Sequence, residues 1–528
     1  HLGSLILVVM KRFFFLFVLL LSTISTMGAN NNPLPPKVAI GIHIDGLNTD
    51  YLTLFRNELS AGGFKRIMQE GTCLENVDYG YQNAGVGADL ATLYTGALPY
   101  LHGVASDKWF NRTVSKTSDL CLDTQAHSFG LGPAYSAHRL QASTLTDQLH
   151  EASMGKSNVV SIAIDPTAAV LQAGHTGLAL WMDAETGRWN TSSYYETALP
   201  SWAGKTADDY MDKRWEPLGL ASLYHAISTS KTKTFAYDLD QLCYGKNKYK
   251  QFATTPYANN MVADLAMQAI QNYAIGKDMW PDMLLLQFSL QPLYTQTSAK
   301  LSIELEDAYL RLDKELGTFL DFVDKFYGKT EVLVYLTSSR ELPYLQPINQ
   351  RIPSKSFCTY RYMALLNAYL MAHYGNHNWV LGAENGHIYL NRKLIEEHNK
   401  DLRQVQQTAI NFISTIPGIM NVSSSQQLGE AYIMNVQPRY AFHPTTSGDL
   451  LFSLLPGWYE VDKNDQPTGF YNTYRTTTRM YLWGWKIPTS HVTENVPATA
   501  FAPTLARYLR ISLPNAAQGG HLPIRLQE

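Results

Sequence analysis

The chain has 528 residues, 45% hydrophobic and 16% charged, which is enough apolar material for one large core or two packed subdomains. With 42 Lys and Arg against 45 Asp and Glu, its formal net charge is −3. That balance provides no basic footprint, and a nucleic acid or an anionic lipid surface is not expected as a partner.

From the N-terminus, Met10-Lys11-Arg12 precedes the apolar run Phe13–Leu21, and Met27-Gly28-Ala29 supplies small residues before Asn30. This pattern predicts a secretory signal peptide cleaved after Ala29, so residues 1–29 are set apart from the folded protein. The apolar core is too short to span roughly 30 Å of hydrocarbon, and no later stretch approaches the roughly 18 apolar residues of a membrane helix. A periplasmic or secreted protein is expected, with no transmembrane segment in the mature chain.

Short β-branched apolar runs follow at Lys37–Ile44, Asn158–Ile164, Met283–Leu290, Glu331–Thr337 and Met480–Trp485. Runs of this kind predict buried strands of a largely parallel sheet. Between them, Leu305, Tyr309, Leu312, Leu316, Phe319 and Val323 recur at helical spacing, with Ser302 placed to cap the start and Gly328 to end the helix. The alternation predicts a three-layer α/β/α sandwich. From about Leu342 the rhythm breaks, and Ile388–Leu390 and an amphipathic stretch over Asp401–Ile416 sit among polar loops. The expected organisation is a core over 30–341, an inserted α+β subdomain over 342–447, and a return to the main sheet near Gly448–Pro456 within a final core segment, 448–528. Cys73, Cys121, Cys243 and Cys358 lack metal-ligand spacing; disulfides and buried free thiols both remain open.

In open α/β sheets, ligands sit beyond the carboxyl ends of the strands. The first strand ends at Asp45, with His43 on the same side of it. The segments Asp45–Leu52 (D-x-x-x-x-D-Y-L), Gly62–Gly71 (G-G-F-K-R-x-x-x-E-G) and Thr95–Gly103 (T-G-x-x-P-x-x-H-G) follow in order. Farther on come Ala173–Thr176, Glu306–Asp313, Ile388–Ile395 and Ala502–Leu505. Their colinear order resembles the alkaline phosphatase superfamily, in its branch of exported zinc-dependent phosphate monoesterases related to type I phosphodiesterases and nucleotide pyrophosphatases.

The resemblance implies two zinc ions that hold the phosphate and activate a Thr or Ser nucleophile. Position by position, only Asp45 survives. The nucleophile position falls on Ala84, whose methyl can neither attack phosphorus nor bind a metal. The ligand positions at the next strand ends fall on Gln291 and Thr295, on Ser339 and Arg340, and, more loosely, on Phe470. The Lys and Arg that steady the phosphoryl group fall on Asp165 and Thr167. No zinc is therefore expected, and Arg340 is expected to neutralise Asp45. His102 is expected to be structural, Asp89 to cap or face solvent, and His373 and His377 to lie in a loop.

The leading expectation is a non-catalytic envelope protein that binds another envelope protein or a glycan. A hydrolase with a rebuilt site around His43, Asp45, Asp89 and Glu341 is the alternative, for which zinc would return as cofactor. A third is a carbohydrate or phosphoglycan module using Tyr79, Tyr81, Tyr294, Phe470, Tyr471 and Tyr474.

Overall fold

The apolar runs form the middle of a nine-stranded sheet. Its strands are β1 (Val38–Asp45), β2 (Thr72–Asp78), β3 (Val159–Ala163), β4 (Leu178–Met182), β5 (Trp189–Asn190), β6 (Asp282–Ser289), β7 (Val332–Ser338), β8 (Thr477–Gly484) and β9 (Ser490–Pro497). They lie in the order β9-β2-β8-β7-β1-β6-β3-β4-β5. β1 pairs in parallel with β6 and β7, and the parallel run continues through β3 to β4. β8 is antiparallel to both β7 and β2, and β5 to β4. The computed structural model describes residues 34–82, 85–228, 233–290, 301–338, 355–434, 440–465, 467–471 and 476–527. Pro36–Gln527 belong to one unit.

The two-residue period of a strand divides each central run between two cores. Ile40, Ile42 and Ile44 of β1, Leu284 and Leu286 of β6 and Val334 of β7 face one; Ala39, Leu285, Leu333 and Tyr335 face the other. With both faces covered, the runs are apolar throughout rather than alternating. Each fully buried aliphatic side chain contributes roughly 1.5–3 kcal/mol. Gly41 is needed because a Cβ there would lie 2.4 Å from the Tyr335 hydroxyl.

Helices α1 (Val86–Thr95) and α2 (Pro166–Ala173) pack on the Tyr335 side. Helices α3 (Pro256–Asn272) and α4 (Ile303–Tyr327) pack on the opposite side. The ends of α4 match the sequence: the Ser302 hydroxyl accepts from the Leu305 N–H, and Gly328 terminates the helix at φ 91°. A three-layer α/β/α sandwich results.

A separate four-stranded sheet, ordered Val380–Glu384, His387–Leu390, Leu450–Leu454 and Ile419–Ser424, has its own core with helices Thr359–Tyr374 and Leu402–Ile413. Leu450–Leu454, expected to rejoin the main sheet, instead pairs here with Ile419–Ser424 and His387–Leu390. An apolar run specifies a buried strand but not which sheet buries it; the main sheet resumes only at β8. All four cysteines are free thiols.

Candidate active-site cleft

Strand register brings the expected positions to one rim. Asp45 lies level with Ser289 on β6, and Ile44 level with Ser338 on β7. Beyond the end of β3, Asp165 caps α2, its Oδ1 accepting the Thr167 N–H at 3.0 Å, while Thr167 is buried in the first turn. Asp45, Asp165 and Thr167 are thus brought to the same end of the sheet. Ala84, Gln291, Thr295, Ser339, Arg340 and Glu341 lie outside the described residues. So does the side chain of Phe470, whose backbone belongs to a small three-stranded sheet with Lys355–Cys358 and Trp458–Val461.

The sequence reading missed Asp107. Its carboxylate sits on the N-terminus of α1, accepting the Gly87 N–H at 2.7 Å and a further bond from Val86. The free amides and dipole at a helix N-terminus favour an anion, and here the protein supplies its own. The contact depends on two glycines: a Cβ at Gly85 would lie 2.0 Å from Asp107 Oδ2, and one at Gly87 2.6 Å from Oδ1. Those paired glycines at a helix start were the one signal of so close an approach.

Burial pushes the Asp107 pKa up to about 6, with the Asp45 and Asp89 charges adding to the rise and the Gly87 hydrogen bond opposing it. Asp165 is pushed up to about 7, first by the surrounding protein and then by the charge of Asp107. Its side chain remains open to the cleft.

Other expected residues are structural. His43 is 2% exposed, and burial lowers its pKa to about 3, which keeps it neutral. His102 is fully buried and bonded to Thr92 Oγ1, in keeping with the structural role expected of it. Asp89, expected to cap or face solvent, is buried and accepts the Tyr81 hydroxyl at 3.1 Å, because α1 is buried on every side from Gly87 to Thr95. Tyr79 and Tyr81 are core residues rather than a recognition surface. His373, expected in a loop, lies in the last turn of the helix Thr359–Tyr374, and His377 beyond it pairs with His398, Nε2 to Nε2 at 3.0 Å.

A cleft of about 420 Å³ opens beside this rim, lined by Asp45, Ile164, Asp165, Trp181, Gln287 and Ser289, with Glu185 and Lys250 among the charged residues around it. The fold and this cleft at the carboxyl ends of parallel strands define an alkaline-phosphatase-like α/β/α protein. The profile of the type I phosphodiesterase / nucleotide pyrophosphatase family matches residues 39–480, and the chain belongs to that family.

Two curated relatives cover nearly the whole chain. Alkaline phosphatase PafA of Elizabethkingia meningoseptica is 28% identical over 519 residues, covering 92% of this chain and 93% of that protein. A protein of Myroides odoratus described as a calcium-transporting ATPase is 28% identical over 515 residues, with 92% and 93% covered. The crystal structure of wild-type PafA superposes with a TM-score of 0.81 at 26% identity, covering 93% of this chain and 99% of that one.

Proposed function

We propose that this chain is an exported phosphoesterase-family protein that no longer transfers phosphoryl groups by a two-zinc, hydroxyl-nucleophile route. It acts instead as a binding or assembly component of the cell envelope, with an envelope protein or a glycan as partner. The carrying observation is the Asp107 carboxylate seated on the N-terminal amides of α1, directly after the nucleophile position Ala84. A phosphoryl oxygen arriving there meets a tethered anion instead of free N–H groups, with Asp165 close enough to add its charge.

The donor set does not fit the family's zinc pair. Beside Asp45 the corresponding positions offer amide, hydroxyl, guanidinium and phenyl groups at Gln291, Thr295, Ser339, Arg340 and Phe470. Among the described residues, no three His, Cys, Asp or Glu side chains are grouped to hold a metal. Asp107 and Asp165 are each already committed to a helix amide.

A hydrolase with a rebuilt site is the second reading. It is favoured by Asp107 and Asp165, whose pKa values near 6 and 7 suit a general acid–base pair. One assay separates the two: turnover of an aryl phosphate and an aryl phosphodiester by the purified chain, with and without added zinc, from pH 5 to 8. No turnover above buffer is expected. Turnover abolished by Asp45→Ala sinks the first reading, and turnover lost specifically in Asp107→Asn or Asp165→Asn establishes the second.

A further inference from the structure

We infer that the cleft at the carboxyl ends of β1, β3, β4 and β6 is a binding site for a small organic cation, an amine carried on a compact hydroxylated or apolar body. The inference rests on the reading that the cleft no longer serves phosphoryl transfer, and it names the ligand class that replaces phosphate.

Two independent features point to a ligand. The first is Gln287: its side chain is 5% exposed, lines the cleft, and has no hydrogen-bond partner for its amide among the described residues. It stands inside the apolar strand run Leu284–Phe288, and its amide, reached from the cleft, is placed to bond a ligand hydroxyl or ammonium. The second is charge. Among the described residues, Asp45, Asp165, Asp183 and Glu185 line the cleft against one lysine, Lys250. Asp183 is nearly fully buried, its oxygens taken by the N–H groups of Leu131, Gly132 and Glu185. Asp165 commits one oxygen to Thr167 and is otherwise open to the cleft.

The wall selects the body of the ligand. Trp181 and Tyr135 both line the cleft and meet edge to face, with centroids 5.8 Å apart; Ile164 and Met182 extend the apolar surface. Aromatic faces with carboxylates suit an organic cation, which loses less hydration on entry than a metal ion and also packs against carbon. The volume, about 420 Å³, lies in the range of small-molecule sites. Inorganic phosphate is disfavoured by the same carboxylates.

Calorimetric titration of the full chain at pH 8 tests this, with glucosamine and choline as probes, glucose as the neutral match of glucosamine, and inorganic phosphate as the anion. Glucosamine is expected to bind at least tenfold more tightly than glucose, and phosphate not to bind. Asp165→Asn keeps an acceptor for the Thr167 N–H, and is expected to weaken glucosamine at least tenfold without lowering the melting temperature. Lys250→Glu, on an exposed side chain, is expected to tighten it. Equal binding of glucose and glucosamine, binding of neither cation, or indifference to both substitutions overturns the inference. Aryl phosphate turnover in the same preparation keeps the two readings apart. Turnover with amine binding intact removes the non-catalytic reading alone; absent turnover with absent amine binding removes the cation site alone.

Discussion

Asp107→Asn isolates the charge at the N-terminus of α1. The amide oxygen of asparagine still accepts from Gly87, so the substitution removes a charge and keeps the cap. In the folded protein the Asp107 pKa rises from 3.8 to about 6, a penalty on the charged form of about 3 kcal/mol at about 1.36 kcal/mol per unit. Asp107 is only partly buried, and solvent screening reduces this to about 1–3 kcal/mol. The sign follows from linkage. Below pH 3.8 the carboxyl is protonated in both folded and unfolded chains and contributes nothing. Between 3.8 and about 6 the folded protein holds the proton that the unfolded chain releases, so stability falls as pH rises. Above about 6 the whole penalty is present. Asp107→Asn is therefore expected to raise the urea midpoint at pH 8 by the equivalent of about 1–3 kcal/mol, and to leave it nearly unchanged at pH 3.5. A variant less stable at pH 8, or one whose gain is the same at both pH values, refutes the electrostatic account.

Gly87→Ala places a Cβ 2.6 Å from Asp107 Oδ1 and 3.0 Å from Leu171 and Thr167, and is expected to cost about 1–3 kcal/mol. In a double-mutant cycle read by urea unfolding, the cost shrinks when Asp107 is alanine. Asp449 is fully buried and bonded to Arg112, Arg392 and the Leu390 N–H. Asp449→Ala is expected to cost about 3–5 kcal/mol, seen as faster hydrogen exchange in the four-stranded sheet. Asp307, also fully buried, accepts from Trp215 Nε1, Leu218 N, the Tyr224 hydroxyl and Arg311 Nε. Asp307→Ala orphans these donors at about 1–3 kcal/mol for each that stays buried, and limited proteolysis is expected to cut first between Trp215 and Tyr224.

What the sequence discloses follows the range of the interactions that fix it. β1, β6 and β7 are legible because burial on both faces requires unbroken apolar runs. The ends of α4 are legible because Ser302 and Gly328 act within one turn of themselves. The Leu450–Leu454 strand was recognisable as buried, while its partner strands were not, since pairing depends on residues far along the chain. Asp107 is invisible to a reading of strand ends: it precedes the short hairpin strand Lys108–Asn111 and reaches α1 only through the fold. Gln287 carried a local signal, an amide within an apolar run, which acquires meaning only once the cleft beside β6 is known.

In the proposed reading, the change at this site runs deeper than one missing hydroxyl. Helices α1 and α2 both begin at the carboxyl end of the sheet, and both helix starts are occupied by carboxylates of the chain itself, Asp107 and Asp165. A tethered carboxylate competes at high effective concentration with any free phosphate, so the anion site stays filled whatever stands at position 84. Ala84→Thr alone is therefore expected to give no aryl phosphate turnover, even with zinc present, because the restored hydroxyl has neither a cation set nor a vacant helix terminus to work with. Turnover by that single variant would mean that Asp107 yields its place to substrate, and the proposed inversion of the site from anion-binding to cation-binding would have to be given up.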